Sequence, residues 1–119
     1  MRPTVLIVDD HASFRRSARR LLEADGFVVV GEASDGASAL VEVKALRPQL
    51  VLLDVLLPDV DGFAVADALA RESWRPLVVL TSSREAADLG TRLERTTAAG
   101  FLHKSELSGA ALAALLDAA

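Results

Sequence analysis

Apolar residues along this chain follow two alternating rhythms. Short unbroken runs, rich in leucine or β-branched residues, occupy Thr4–Val8, Val28–Ala33, Leu50–Leu53, Leu77–Leu80 and Phe101–His103. Three of these runs (VLIV, LVLL and LVVL) are apolar at every position, as strands covered by helices on both faces are. Between the runs, apolar residues recur every three or four positions, the spacing of amphipathic helices. The first helix, Ala12 to Ala24, is expected to bury Phe14, Ala18, Leu21 and Leu22 and to turn Arg15, Arg16, Arg19 and Arg20 away. Gly26 ends it, at a position where a left-handed residue is cheap. The second comes after the turn Ser34-Asp35-Gly36, with Ala37, Leu40, Val41 and Leu46 as its apolar side and Pro48 as its limit. A third starts near Gly62, buries Phe63, Ala66, Leu69 and Ala70, and must stop before Pro76. A fourth spans about Glu85 to Thr96 on Ala86, Leu89 and Leu93. The fifth starts at Ser105 or Glu106 and uses Leu107, Ala111 and Leu115.

Five strand–helix repeats in 119 residues predict an α/β fold: one doubly wound, five-stranded parallel sheet between two helical layers, forming a single domain over 1–119. Right-handed crossovers bring the carboxyl end of every strand to one edge, where ligands of such sheets bind. No internal repeat or linker interrupts it. The longest apolar runs are far too short to span a bilayer, and no leader-like segment opens the chain. With no cysteine, disulfides, thiolate metal sites and cysteine nucleophiles are excluded. Net charge is −4, against a phosphate-tracking surface, so no direct nucleic-acid contact is expected. A cytoplasmic location is expected.

The residues just past the end of each strand carry the chemistry. Asp9 and Asp10 come after the first, Asp54 after the third, Thr81 and Ser82 after the fourth, and Lys104 after the fifth. Three carboxylates, one or two hydroxyls and one ammonium therefore share an edge. Carboxylates so crowded repel one another unless a cation intervenes. Magnesium, which favours oxygen ligands and keeps room for a substrate phosphate, suits this set. A carboxylate can then act as nucleophile toward a phosphoryl group, whose transfer asks mainly for alignment and charge neutralisation. Asp54, alone at the end of a buried central strand, suits the nucleophile's role better than the Asp9–Asp10 pair.

This constellation resembles the receiver domains of response regulators in bacterial two-component systems. The matching residues are the acid pair in LIVDD, Asp54 with Pro58 and Gly62 in VLLDVLLPDVDG, Thr81 in VVLTS and Lys104 in GFLHK. The resemblance covers essentially the whole chain and implies a flavodoxin-like strand order 2-1-3-4-5. It implies that Asp10, Asp54 and the Leu56 backbone carbonyl ligate magnesium and that Asp9 acts through a water. Asp54 then accepts phosphate from a phosphohistidine of a sensor histidine kinase or phosphotransfer protein, with Thr81 and Lys104 as its partners. Thr81 and Phe101 form the switch pair, altering the face of the fourth helix, fifth strand and fifth helix, a possible homodimer surface. The family's switch ring is often tyrosine, so Phe101 lacks the polar contacts a hydroxyl gives. Ser105 stands where many members carry proline, which weakens the expectation of a cis peptide there. The sequence is most similar to receivers that precede helix-turn-helix output domains; none lies within this chain.

Plainer roles compete for each residue. Asp9-Asp10 could cap the first helix, and Thr81 or Ser82 is expected to cap the fourth. The arginines at 15, 16, 19 and 20 read as a solvated face, or more sharply as a docking face on which charge reversal at Arg15 and Arg19 slows transfer from a kinase but not from a small donor. His11 and His103 are expected not to ligate, because magnesium prefers oxygen. Trp74 is expected to be a partly buried anchor. A phosphatase reading falters at Leu56, where an aspartate-based phosphatase has a second acid. A degenerate receiver acting only through protein contacts conflicts with the intact set. No phosphate-cradling glycine loop is present. Leu56 and Ser83 offer attacking water few partners, so autodephosphorylation is expected to be slow.

Overall fold

A computed structural model describes residues 2–118. Its strands are β1 (Thr4–Val8), β2 (Val28–Ala33), β3 (Leu50–Asp54), β4 (Leu77–Ser82) and β5 (Gly100–His103). The helices are α1 (Ala12–Ala24), α2 (Gly36–Leu46), α3 (Gly62–Leu69), α4 (Ala86–Leu89), α5 (Thr91–Arg95) and α6 (Gly109–Ala118). All neighbouring strands pair in parallel, in the order β2-β1-β3-β4-β5. This is the predicted doubly wound sheet, and its order reverses between β1 and β3. No peptide bond among the described residues is cis.

The unbroken apolar runs work because successive side chains of a strand leave on opposite faces. Leu6, Val8, Val51, Leu53, Val78 and Leu80 enter one core with Ala39 and Val43 of α2 and Phe63, Val65, Ala66 and Leu69 of α3. Val5, Ile7, Leu50, Leu52 and Val79 enter the other, against Ala18 and Leu22 of α1 and Leu112 of α6. Burying a side chain of this size contributes about 1.5–3 kcal/mol, so the strands that end at the carboxylates are also the most strongly anchored elements.

Several expectations from helical spacing fail: Ala70 is half-buried just past the end of α3, Ala86 is exposed, and four differences are larger. In α1, Ala18 and Leu22 are buried and Phe14 is half-buried, while Leu21 lies outside. In α2 the buried side is Gly36, Ala39 and Val43, not Ala37, Val41 and Leu46, which are exposed. Apolar residues surround much of that helix, so periodicity did not select a face. The fourth helix is split. Gly90, at φ 58° and ψ −136°, breaks it into α4 and α5, a backbone region open almost only to glycine. The fifth, α6, begins at Gly109 rather than near Ser105. Residues Lys104–Glu106 instead form a 3₁₀ turn in which the His103 ring accepts the Ser105 N–H. The Gly109 N–H donates to Asp25 at 3.0 Å, fastening the start of α6 to the end of α1.

The arginine face is also divided. Arg15 and Arg19 each pair with Glu32 on β2, at 3.0 and 2.9 Å, and Arg15 also donates to the Asp9 carbonyl at 2.7 Å. Arg16 and Arg20 are the exposed members.

The loop from β3 to α3 is held from two sides. Asp59 accepts from the N–H groups of Gly36 and Ala37 at 2.8 and 3.0 Å, which keeps its carboxyl below the usual range. Gly62 donates to the Val55 carbonyl at 2.7 Å. A Cβ on Gly62 would lie 2.3 Å from the Asp54 carbonyl oxygen and 2.9 Å from Val55 Cα. Those are backbone atoms with nowhere to retreat. Gly62→Ala is therefore expected to lower the unfolding free energy by about 1–3 kcal/mol in urea titration, and an unchanged midpoint would contradict this close approach.

Candidate functional site

At the reversal point, β1 and β3 deliver their last acids side by side. Asp9 is wholly buried, Asp54 is 3% exposed and Asp10 lies at the surface. Thr81 is paired in register with Asp54 across β3 and β4, and β5 delivers Lys104. Lys104 Nζ lies 2.6 Å from Asp9 Oδ2 and 3.2 Å from Asp54 Oδ2. Asp54 Oδ1 accepts the Leu56 N–H at 3.1 Å. All the residues predicted to share this edge do so. Phe101 is half-buried on β5 and packs against the core that contains Leu80, its neighbour in register.

An open cleft of about 440 Å³ exposes Asp10, Asp54, Leu56 and Lys104, with Arg84 and Arg92 on its rim. Behind it the Thr81 hydroxyl, on a residue only 1% exposed, has no hydrogen-bond partner among the described residues. A buried hydroxyl left unpaired costs about 1–3 kcal/mol, so a ligand oxygen beside Asp54 would satisfy it.

The electrostatics are those of a site short of positive charge. Burial pushes the Asp54 carboxyl above its ordinary range, and the Asp9 charge adds to that, outweighing the Leu56 N–H and Lys104. Burial acts on Asp9 too, but the Lys104 ammonium and the His11 N–H more than offset it and hold its carboxyl low. Burial would lower Lys104; the Asp9 and Asp54 carboxylates raise it instead. One ammonium thus faces three carboxylates. At an effective dielectric near 20, unit charges about 4 Å apart interact by about 4 kcal/mol, so the excess is substantial. The carboxylate-rich, open-mouthed donor set fits a hard divalent cation such as magnesium. Donor atoms of Asp9, Asp10, His11 and Asp54 all lie within 4.8 Å of one another.

Several neighbours carry no signal in the sequence. Phe14 lies under the Lys104 ammonium, 4.6 Å from ring centroid to nitrogen. His103 ties two loops together: Nε2 meets the Ser83 carbonyl at 2.9 Å and Nδ1 meets the Ser105 hydroxyl at 2.7 Å. Arg92 pairs with Asp61 and covers the Phe63 ring at 4.5 Å. Spacing cannot find these contacts, because each joins elements distant in sequence. The cap expected from Thr81 or Ser82 is absent, and the competing reading of Asp9-Asp10 as caps of α1 is not met either. His11, not an aspartate, occupies the N-cap of α1, and Ser82 accepts the Arg84 N–H instead of capping a helix. Trp74 is the expected half-buried anchor, with Arg47 stacked 4.9 Å over it.

Three comparisons place this arrangement among known proteins. The profile of the response regulator receiver domain matches residues 5–116. The chain is 41% identical over 96 residues to the DNA-binding response regulator MtrA of Mycobacterium tuberculosis, covering 79% of this chain and 41% of that protein. It is also 41% identical over 108 residues to a protein-glutamate methylesterase/protein-glutamine glutaminase of Anaeromyxobacter dehalogenans, covering 90% of this chain and 31% of that protein. The chain thus spans less than half the length of either relative. Among solved structures, the signal receiver domain of NarL from Mycobacterium tuberculosis superposes with a TM-score of 0.80 at 38% identity over 97% of each chain.

The charge imbalance has a measurable consequence. A carboxyl whose pKa is raised by folding contributes stability in acid and loses it as pH rises through its folded value, so at neutral pH ionised Asp54 opposes folding. In a chelator at pH 7, Asp54→Asn should raise the melting temperature by about 4 °C or more per kcal/mol of repulsion relieved. Lys104→Met should lower it. The Asp54→Asn gain should vanish in acid, and equal melting at pH 7 would show that the acids do not strain one another.

Proposed function

This chain belongs to the response regulator receiver domain family, and from that premise we propose that it is a phosphorylation-dependent signalling switch whose phosphoacceptor is Asp54. Receiver domains exchange phosphoryl groups with histidine kinases or phosphotransfer proteins and are regulatory modules rather than enzymes. The observation that carries the proposal is the buried Asp54 carboxylate, held 3.2 Å from Lys104 beside the Thr81 hydroxyl, which has no partner among the described residues.

In this reading a carboxylate oxygen of Asp54 attacks the phosphorus of a phosphohistidine. The new O–P bond forms as the P–N bond breaks, and the electron pair of that bond returns to the donor's imidazole. Asp10, Asp54 and the Leu56 backbone carbonyl would hold the magnesium ion, with Asp9 bonded to one of its waters. Bound there, magnesium supplies neutralisation of the phosphoryl charge. Lys104 faces a second phosphoryl oxygen, and Thr81 donates its hydroxyl to a third. Lys104 has then exchanged part of its contact with the two aspartates for the phosphoryl group.

Thr81 and Phe101 are the proposed switch pair. When Thr81 moves toward the phosphoryl oxygen, it vacates space beside the sheet that the half-buried Phe101 ring can fill. The surface this alters is that of α4, α5, β5 and α6, where none of the α4 or α5 residues is buried. Weak burial makes that stretch inexpensive to rearrange. A homodimer through this surface is part of the proposal, as is a cytoplasmic setting with a sensor kinase as donor. No described helix is long and apolar enough to cross a membrane. MtrA is by name a DNA-binding regulator, and an output domain in the whole protein is proposed by that likeness. Docking of the donor on α1 would fall to Arg16 and Arg20, since Arg15 and Arg19 already pair with Glu32.

Beryllofluoride mimics the phosphoryl group on a carboxylate. Titrated with magnesium, it should bind the wild type and alter the NMR signals of Thr81 and Phe101. Asp54→Asn should bind none, and binding that survives this change would exclude Asp54 as acceptor. An unresponsive wild type would favour a protein-contact module instead. Leu56 is 69% exposed at the mouth of the cleft and offers water no polar anchor. Leu56→Asn should therefore shorten the lifetime of the phosphoprotein, measured by loss of radiolabel, by about a hundredfold if orienting water is worth a catalytic group's minimum. An unchanged lifetime would remove that explanation of slow hydrolysis.

A further inference from the structure

Beside the acids of the cleft stands one nitrogen donor whose usual work is missing. His11 is the N-cap of α1, yet its side chain makes no capping bond to the helix. Instead Nδ1 lies 3.0 Å from Asp9 Oδ1 and 3.0 Å from Asp10 Oδ1, while its backbone N–H fixes the same Asp9 oxygen at 2.8 Å. The ring is largely exposed, so packing does not dictate this pose. Two adjacent ligands of an octahedral ion with bonds of about 2.1 Å stand about 3 Å apart. The contact with Asp10, the direct ligand of the pair, has the length of such an octahedral edge, and the contact with Asp9 is a hydrogen bond that holds the ring in place. The other histidine differs: both His103 ring nitrogens are engaged, with the Ser83 carbonyl and the Ser105 hydroxyl.

We propose that His11 is a conditional metal ligand, so that the cleft takes nitrogen-accepting divalent ions of the cobalt, nickel and zinc class more tightly than magnesium. The inference rests on reading the acidic cleft as a cation site. It adds Nδ1 of His11 to the carboxylates for that class of ion alone. Magnesium gains nothing from an imidazole and leaves it aside, whereas imidazole strongly favours the later first-row ions. The ring need not travel, because it already stands against both carboxylates. Its hydrogen bonds to them are exchanged for a metal bond as the ion enters.

The probes are magnesium and cobalt(II), titrated separately into the full chain at pH 8, where imidazole ligands are deprotonated. Calorimetry gives the affinities, and hyperfine-shifted imidazole proton signals report a histidine bound to cobalt. Wild type should bind cobalt at least about tenfold more tightly than His11→Ala, by the scale on which losing one supporting group weakens metal sites. Magnesium affinity should be unchanged by that substitution. The shifted imidazole signals should vanish in His11→Ala and persist in His103→Ala. Equal cobalt affinity in wild type and His11→Ala, with magnesium bound normally, overturns the role of His11 while leaving the cation site intact. Failure of wild type to bind magnesium, or magnesium binding undiminished in Asp54→Asn, removes the cation site itself and the inference with it.

Discussion

Lys104 stands between two buried carboxylates that the fold forces together, 2.6 Å from one and 3.2 Å from the other. Parallel strands impose the arrangement. Once β1 and β3 are adjacent and end at the same height, their terminal acids converge, and the register that pairs Val8 with Leu53 leaves Asp9 and Asp54 together at the edge. The ammonium that faces both comes from beyond β4, from the turn that follows β5. Without Lys104, two desolvated like charges would oppose each other at the end of the best-packed part of the core. With it, the balance is still one cation against three acids when Asp10 is counted. That residual negative charge makes the cleft receptive to a divalent ion and, through the ion, to an anion.

The apolar layers serve this edge by removing freedom from it. Each strand that delivers a functional group is pinned by side chains alternating into two cores. Asp9, Asp54 and Thr81 thereby inherit positions fixed by Val8, Leu53 and Leu80. The loops beyond are held by polar contacts instead: Asp59 on the start of α2, Asp61 on Arg92, His103 on the Ser83 carbonyl. Such contacts can exchange partners without opening the core. Rigidity at the acids and adjustability at the rim come from this division of labour between apolar burial and hydrogen bonding.

Much of this was legible in the residues. Unbroken runs such as LVLL identify buried parallel strands because only a sheet covered on both faces tolerates them. From strand ends alone, Asp9, Asp10, Asp54, Thr81 and Lys104 could be set on one edge. Helix faces were less legible. In α2, Ala39, Leu40, Val41 and Val43 crowd so closely that spacing cannot choose among them; Val43 is buried while Val41, the same residue type, is exposed. Gly90 was an ordinary residue until its backbone angles showed it dividing a helix. The contacts of Phe14, His103 and Arg92 depend on tertiary proximity, which no local pattern encodes. His11 shows the limit most clearly: oxygen preference argues for keeping it off magnesium, but gives no hint that its ring would stand against both carboxylates.

The claim at the centre is that the crowded acids tolerate an incoming phosphoryl group only with a divalent ion and Lys104 present, and that Asp54 receives it. Intact-mass spectrometry after incubation with a small phosphodonor tests this directly, with the labelled residue located by borohydride reduction of the acyl phosphate. The account predicts one added phosphoryl group, on Asp54, in magnesium, and none in chelator or in Lys104→Met. A phosphoryl group acquired in chelator, or found on Asp9 or Asp10 instead, would contradict it.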